Sequence, residues 1–177
     1  MPTVSNTSPI SNLARIGRLT LLHEQFGDIW IPQAVRTELQ DIPDAAARQA
    51  IDEATQLGWL RVREALDVNL VNVLTLELHQ GEAEAIALAL EMRADRLLID
   101  EREGRVTSRL LGLRVTGVLG VLLRGKEMGQ INKVKPEIEA LRGEAGFFIA
   151  PALERQNSGS GWRVGLPSTS VGRDRLA

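Results

Sequence analysis

The sequence predicts an α/β protein of three layers, in which a mainly parallel sheet lies between helices on both faces. Two observations carry this prediction: short apolar segments alternate with amphipathic ones up to residue 153, and Gly or Pro separates many of them. Strands that alternate with helices are joined by crossover connections, which make the strands parallel. Strands are predicted at 2–6, 28–31, 59–64, 95–100 and 113–117, and helices at 8–26, 32–40, 43–58, 81–94, 101–112, 118–129 and 135–146.

The N-terminal elements follow from apolar spacing and from the residues that interrupt it. After the short strand at 2–6, apolar residues recur at helical spacing from Ile10 to Phe26. Gly17 interrupts this segment and indicates two helices. The second strand, 28–31, ends at Pro32, a residue suited to the first turn of the next helix.

The middle elements are bounded in the same way. Pro43 and Gly58 enclose an Ala-rich helix. Residues 59–64 alternate between apolar and polar side chains, as in a strand. The apolar helix at 81–94 leads into 95–100, which has the continuous apolar run of a buried strand.

The C-terminal part closes the domain and then changes in composition. A helix at 118–129 ends at Gly129, and the last predicted helix precedes 147–150, an end strand or packing segment. Residues 154–177 are rich in Gly, Ser and Arg and have no sustained periodicity, which predicts a flexible tail. The predicted domain is therefore 1–153.

The overall composition excludes several classes of protein. A net charge of −2 gives the chain no general basic signature for nucleic acid, so basic residues that bind it must be local. The absence of cysteine excludes disulfides and thiolate zinc sites and suits a reducing cytoplasm. No apolar run reaches the ~20 residues of a membrane span. A soluble, cytoplasmic protein is expected.

Polar side chains cluster where predicted strands end. Asn6 ends the first strand, and the pair Asp100 and Glu101 follows the strand at 95–100, while Glu38 and Glu82 lie on helices that can lean over those ends. Ligands of open α/β sheets gather beyond the carboxyl ends of the strands. Clustered carboxylates repel one another unless a cation neutralises them, and such oxygen ligands suit Mg²⁺ or Mn²⁺.

Each of these acids also has a simpler role open to it. Glu82 in a first helical turn interacts favourably with the helix dipole. Asp100 is a candidate cap for the helix that follows it, and Glu38 a candidate surface residue. Glu84 lies about 200° around the helix from Glu82 and is expected to face solvent. Spacing alone does not bring four separate segments together.

Three blocks of the sequence carry a family resemblance. Residues 4–39, 81–105 and 113–149, which begin "VSNTSPISNLARIG", "GEAEAIALALEM" and "LRVTGVLGVLLR", resemble successive blocks of the PIN-domain superfamily. The greatest likeness is to an uncharacterised subgroup near the VapC toxins of bacterial and archaeal toxin–antitoxin pairs. It runs in order from about residue 3 to 153.

The resemblance implies an α/β/α nuclease in which three or four acids bind Mg²⁺ or Mn²⁺ and cleave RNA. Carried onto this chain, the four acid positions fall on Asn6, Glu38, Glu82 and the pair Asp100–Glu101. The resemblance implies a catalytic set of Glu38, Glu82, Asp100 and Glu101, and metal ligands at Asn6, Glu82 and Asp100. Which member of the pair faces the metal stays open. Thr7 and Ser8 match family hydroxyl residues that bind metal-bound water or phosphate.

The sequence departs from the family pattern at Asn6. An amide oxygen still ligates Mg²⁺ but brings no negative charge, so weaker metal binding is expected. Arg102, Arg105 and Arg109 recur along one helix after Asp100, which offers a track for phosphates. A solvated face paired with nearby glutamates is the alternative.

Two functional hypotheses result. The first is a metal-dependent ribonuclease, the toxin-like member of a toxin–antitoxin pair. The second is a PIN-fold module that binds RNA or protein without cutting, because Asn6 impairs the metal site. The resemblance also implies a small antitoxin partner and a homodimer, for which the aliphatic helices at 10–26 offer a surface.

Overall fold

A computed structural model of the chain describes residues 1–147. The tail predicted at 154–177, and all but the first residue of the segment predicted at 147–150, lie outside the described residues. In chain order the described elements are β1 (Thr3–Ser5), α1 (Thr7–Arg15), α2 (Thr20–Phe26), β2 (Ile29–Ile31), α3 (Gln33–Gln40), α4 (Ala45–Gln56), β3 (Leu60–Val62), α5 (Val68–Leu74), α6 (Gln80–Glu91), β4 (Arg96–Leu98), α7 (Arg102–Leu110), β5 (Val115–Thr116), α8 (Val118–Glu127) and α9 (Val134–Glu144).

The five strands form one parallel sheet in the order β3-β2-β1-β4-β5. The chain moves outward from β1 to β2 and β3, then returns to the other side of β1 for β4 and β5. The order therefore reverses between β1 and β4, where Val4 pairs with Leu97. Parallel α/β sheets bind ligands at the carboxyl ends of the strands beside such a switch point.

Helices cover both faces of the sheet, as predicted. α6 packs with α3, α5 and α7, while α1 packs with α4, α8 and α9. The core beneath α6 is aliphatic and includes Val4, Ile86, Leu97 and Ile99, none of which is exposed. The three-layer α/β/α prediction is thus confirmed, with shorter elements than the sequence indicated.

One local feature was predicted from the sequence and another was missed. Gly17 does divide the first helical segment: it takes φ of +70° between α1 and α2, a conformation that glycine adopts without strain. α5 was not predicted from the sequence at all. It has only seven residues, five of them apolar, and only Val71 and Leu74 are buried, so its apolar residues do not mark one face of a helix.

The aliphatic surface expected on α1 and α2 for a homodimer is not found. Ile10, Leu13, Leu21 and Leu22 are buried inside the chain. The exposed large apolar side chains of the described residues lie elsewhere, for example at Leu76. The prediction for 10–26 is therefore wrong in its physical basis, because those side chains fill the core. None of the helices within residues 1–147 has the length and apolarity needed to cross a membrane.

Candidate metal centre

The ends of β1 and β4 bring the first two predicted site segments into contact. The backbone N–H of Asn6 donates to the carbonyl of Leu98 at 2.9 Å, which extends the β1–β4 pairing by one residue. Asn6 Nδ2 donates to Glu101 Oε2 at 3.0 Å. The side chain of Asn6 therefore lies at the switch point and faces Glu101 of the predicted acid pair.

The amide of Asn6 is only half satisfied. Asn6 is 3% exposed, and its Oδ1 is buried with no hydrogen-bond donor. Asn6 occupies the N-cap position of α1, yet its side chain makes no capping hydrogen bond. A buried acceptor without a donor lowers the stability of the fold unless a cation or other positively charged group interacts with it. Simple capping thus does not account for this side chain.

Two hydroxyls beside Asn6 hold carboxylates. Ser8 Oγ donates to Glu101 Oε1, and Thr7 Oγ1 donates to Glu38 Oε2. The family resemblance implies that Thr7 and Ser8 bind metal-bound water or phosphate. In the structure their protons are used to orient Glu38 and Glu101.

Glu82 is buried beside this cluster. It is 5% exposed, and its Oε2 accepts the backbone N–H of His79 at 3.0 Å, which satisfies a free amide at the start of α6. Burial raises the pKa of Glu82, the hydrogen bond from His79 lowers it, and the negative charge of Glu101 raises it. The alternative role of Glu82, stabilisation of the start of a helix, is therefore present. Glu82 also lies close enough to Glu101 for the charge of Glu101 to affect its pKa.

Asp100 faces a different helix end. Its Oδ1 accepts the N–H of Val118 at 2.8 Å, so it caps α8 and not α7, the next helix in the chain. The other oxygen, Oδ2, is buried, and no donor reaches it with hydrogen-bond geometry, although the side chain of Asn12 lies near enough to lower the pKa slightly. Burial raises the pKa of Asp100 to about 6, and Arg105 opposes this rise.

A glycine makes room for this arrangement. A Cβ atom at Gly117 would lie 2.6 Å from Asp100 Oδ1 and 2.7 Å from Arg105 Nη1. No role was predicted for Gly117, although a Gly directly before a helix can indicate close approach of another group to the backbone. Asp100 is thus enclosed by the start of α8, while Glu101 contacts Asn6 and Ser8.

Glu84 has a role that the sequence did not suggest. Its Oε2 accepts the N–H of Ala34 at 3.0 Å, and its Oε1 accepts from Gln80 Nε2 at 2.7 Å. The prediction that Glu84 is solvated is wrong, because the side chain caps the start of α3, the helix that carries Glu38. Glu84 points away from Glu82, as expected, and its hydrogen bond to Ala34 links α6 to α3.

The residues at the switch point fit a hard cation as a mixed set. Within residues 1–147, no three Asp, Glu or His side chains form a group that could hold a metal ion. Glu82, Glu101 and the unpaired Oδ1 of Asn6 are two carboxylates and one amide oxygen, all of the oxygen type that Mg²⁺ and Mn²⁺ prefer. The set fits such an ion with less negative charge than three acids would give.

The predicted arginine track lies on α7. Arg102 and Arg109 are exposed, and neither forms an ion pair with an acid of residues 1–147. Of the alternative, a solvated face with Glu101 and Glu103 as partners, the exposure is therefore present in this part of the chain and the pairing is not. Arg105 is partly buried and turns toward Asp100. Two of the three arginines thus remain available to phosphates.

The comparison with protein families agrees with the fold. A family model described as PIN domain matches residues 2–157, which is most of the 177-residue chain. No curated protein matches the sequence.

Proposed function

The chain belongs to the PIN-domain family, a nuclease-type fold, and from that membership we propose that it is a divalent-metal-dependent ribonuclease. The observation that carries the proposal is the contact between Asn6 and Glu101 at the switch point, with Asn6 Oδ1 left without a donor. A cation bound there would interact favourably both with this unpaired acceptor and with the adjacent negative charge of Glu101.

In this proposal Asn6, Glu82 and Glu101 hold the ion, and Glu38 completes the acidic cluster. Bound Mg²⁺ or Mn²⁺ supplies Lewis acidity and lowers the pKa of water for attack on a phosphodiester. Of the acid pair, Glu101 is the ligand, since it contacts Asn6, whereas Asp100 is engaged by α8. This assignment replaces Asp100 in the predicted ligand set.

The remaining residues orient the carboxylates or attract the RNA backbone. Thr7 and Ser8 fix the carboxylates of Glu38 and Glu101 through their hydroxyl protons. Arg102 and Arg109 offer exposed positive charge to the RNA backbone, a contact that positions a strand without reading its sequence. A toxin-like role follows from the resemblance, and a small antitoxin that covers the acidic cluster would then be the partner.

A nuclease assay on mixed RNA tests the proposal. We expect wild type to cut with Mn²⁺ or Mg²⁺, Glu82→Gln to lose cutting, and Asn6→Asp to cut faster. Glu103→Gln serves as the control, because Glu103 is an exposed acid of the same neighbourhood. Induction in a bacterial host tests the toxin role: growth should stop with wild type and continue with Glu82→Gln.

A second candidate function is favoured by one observation, that residues 1–147 hold no group of three acids for a metal. A non-cutting module that binds RNA or a protein partner then uses the same surface. It predicts RNA binding by wild type without cleavage, with cutting restored by Asn6→Asp. Cleavage by wild type that Glu82→Gln abolishes would reject it.

A further inference from the structure

Gly81 is a glycine that the backbone does not require. It is the second residue of α6 and has an ordinary helical conformation, unlike the six described glycines with positive φ. Glycine inside a helix lowers stability relative to alanine. Something other than backbone conformation must therefore account for a glycine at this position.

The space beside Gly81 is occupied by Glu38. A Cβ atom at position 81 would lie 2.6 Å from Glu38 Oε1, 2.9 Å from Oε2 and 3.0 Å from Cδ. These three nearest atoms all belong to one carboxylate, which thus lies directly against the backbone of α6. The hydroxyl of Thr7 holds the same carboxylate through Oε2.

This contact links two of the predicted acids. Glu38 comes from α3, and Gly81 directly precedes Glu82 in α6. We propose that Gly81 is a positioning residue, whose missing side chain makes a niche that keeps the Glu38 carboxylate at the turn of α6 that presents Glu82. The functional part of this inference rests on the proposed metal-dependent activity, whereas the niche itself does not.

The niche predicts how a methyl group at position 81 behaves. Glu38 is exposed, so Gly81→Ala can push its carboxylate into solvent without unfolding the protein. Glu38→Ala removes the obstructing carboxylate, and Gly81→Ala should then raise the melting temperature as an ordinary helical substitution does. The matched control is Gly143→Ala in α9, where no described atom lies within 4 Å of the added Cβ.

The first measurement is thermal unfolding in EDTA of wild type, Gly81→Ala, Glu38→Ala and the double variant. We expect Gly81→Ala to raise the melting temperature only when Glu38 is absent, and Gly143→Ala to raise it in both backgrounds. Equal effects of Gly81→Ala with and without Glu38 would overturn the niche, because the two positions would then be independent.

The second measurement is Mn²⁺ binding by calorimetry. Glu38 contributes negative charge beside the proposed ligands, so Gly81→Ala should weaken Mn²⁺ binding, by up to about 10- to 100-fold, the range that residues supporting a metal site contribute. It should have no further effect in the Glu38→Ala background. Unchanged Mn²⁺ affinity in Gly81→Ala would overturn the positioning role. If wild type itself binds no Mn²⁺ but the unfolding coupling is present, the proposed function fails while the niche stands.

Discussion

Within residues 1–147, acidic side chains occur at both ends of the sheet, but those at the amino end pair with arginines and those at the carboxyl end do not. At the amino end, Asp28 precedes β2 and pairs with Arg61 at 2.9 Å, and Asp95 precedes β4 and lies 3.5 Å from Arg114. At the carboxyl end, Glu38, Glu82, Asp100 and Glu101 form no ion pair with a basic residue of the described chain, although Arg105 turns toward Asp100.

The difference separates acids that pair with an arginine from acids that do not. Each acid at the amino end has an arginine from the neighbouring strand or its approach, and Arg61 also lies 5.5 Å above the ring of Trp30. At the carboxyl end the acids receive hydroxyl, amide and backbone donors, which orient them but leave their charge in place. Such an arrangement retains the negative charge that a cation requires.

The strongest way to break this contrast is Glu101→Gln. Loss of this carboxylate removes a proposed ligand, so Mn²⁺ affinity and RNA cleavage should fall by at least about 100-fold, the upper range even for residues that only orient ligands. Calorimetry and a nuclease assay measure both. Asp28→Asn at the amino end is the control and should leave both values unchanged. An equal loss from the two substitutions would remove the distinction between the edges.

Asp100 gives the next largest effect, measured as stability against pH in EDTA. Its pKa rises from 3.8 to about 6 on folding, so the folded state binds more protons between these values. The free energy of unfolding should therefore fall as the pH rises through this window, by about 3 kcal/mol in all. Glu82 acts in the same direction. Asp100→Asn keeps an acceptor for Val118 and should flatten much of the slope in urea unfolding; an unchanged slope contradicts the assignment.

Asn6→Asp sharpens the contrast by adding charge to the carboxyl end. The variant loses the Nδ2 donor to Glu101 and places a like charge beside it, which should cost about 1–3 kcal/mol of stability in EDTA. Mn²⁺ should restore that loss and bind more tightly than to wild type. Thermal unfolding with and without Mn²⁺ measures both effects. A variant destabilised equally in the two conditions would argue against a cation at this position.

The smallest effect is expected at the amino end. Arg61 and Asp28 are each about half exposed, and exposed ion pairs contribute no more than about 1 kcal/mol. Arg61→Lys should thus change the urea midpoint only slightly and leave Mn²⁺ binding unaffected. A large effect on Mn²⁺ would mean that the two ends of the sheet communicate.

The sequence was sufficient to predict the alternation of elements but not their spatial order. Apolar runs such as 97–99 and the alternation at 59–64 are local signals, and all five strands were predicted from such patterns. The position of β1 at the centre depends on which strand pairs form, a long-range choice that no local pattern records. α5 was missed because it is short and because its five apolar residues, of which only Val71 and Leu74 are buried, do not mark one face of a helix. Asp67 at its start, which accepts from the N–H of Leu70, was a readable cap.

The candidate site was predictable as a set of segments and not as a set of contacts. The resemblance selected Asn6, Glu38, Glu82 and the acid pair, and the structure brings side chains of these segments together. Which of Asp100 and Glu101 faces Asn6 could not be predicted from their positions in the sequence. The difference depends on the start of α8, where the N–H of Val118 donates to Asp100. Glu84 was misjudged for the same reason, since its partner Ala34 is 50 residues away.

The hydrogen bond from His79 to Glu82 has a consequence for ion selectivity. One carboxylate oxygen, Oε2, already accepts one hydrogen bond at the start of α6, so in the proposed site Oε1 alone would bind an ion more readily than both oxygens together. Ca²⁺ favours six to eight oxygens and often takes both from one carboxylate, whereas Mg²⁺ accepts single oxygens and keeps several waters. In the proposed site a carboxylate restrained in this way would disfavour the larger ion, so the helix end that stabilises α6 would also discriminate between cations by coordination number.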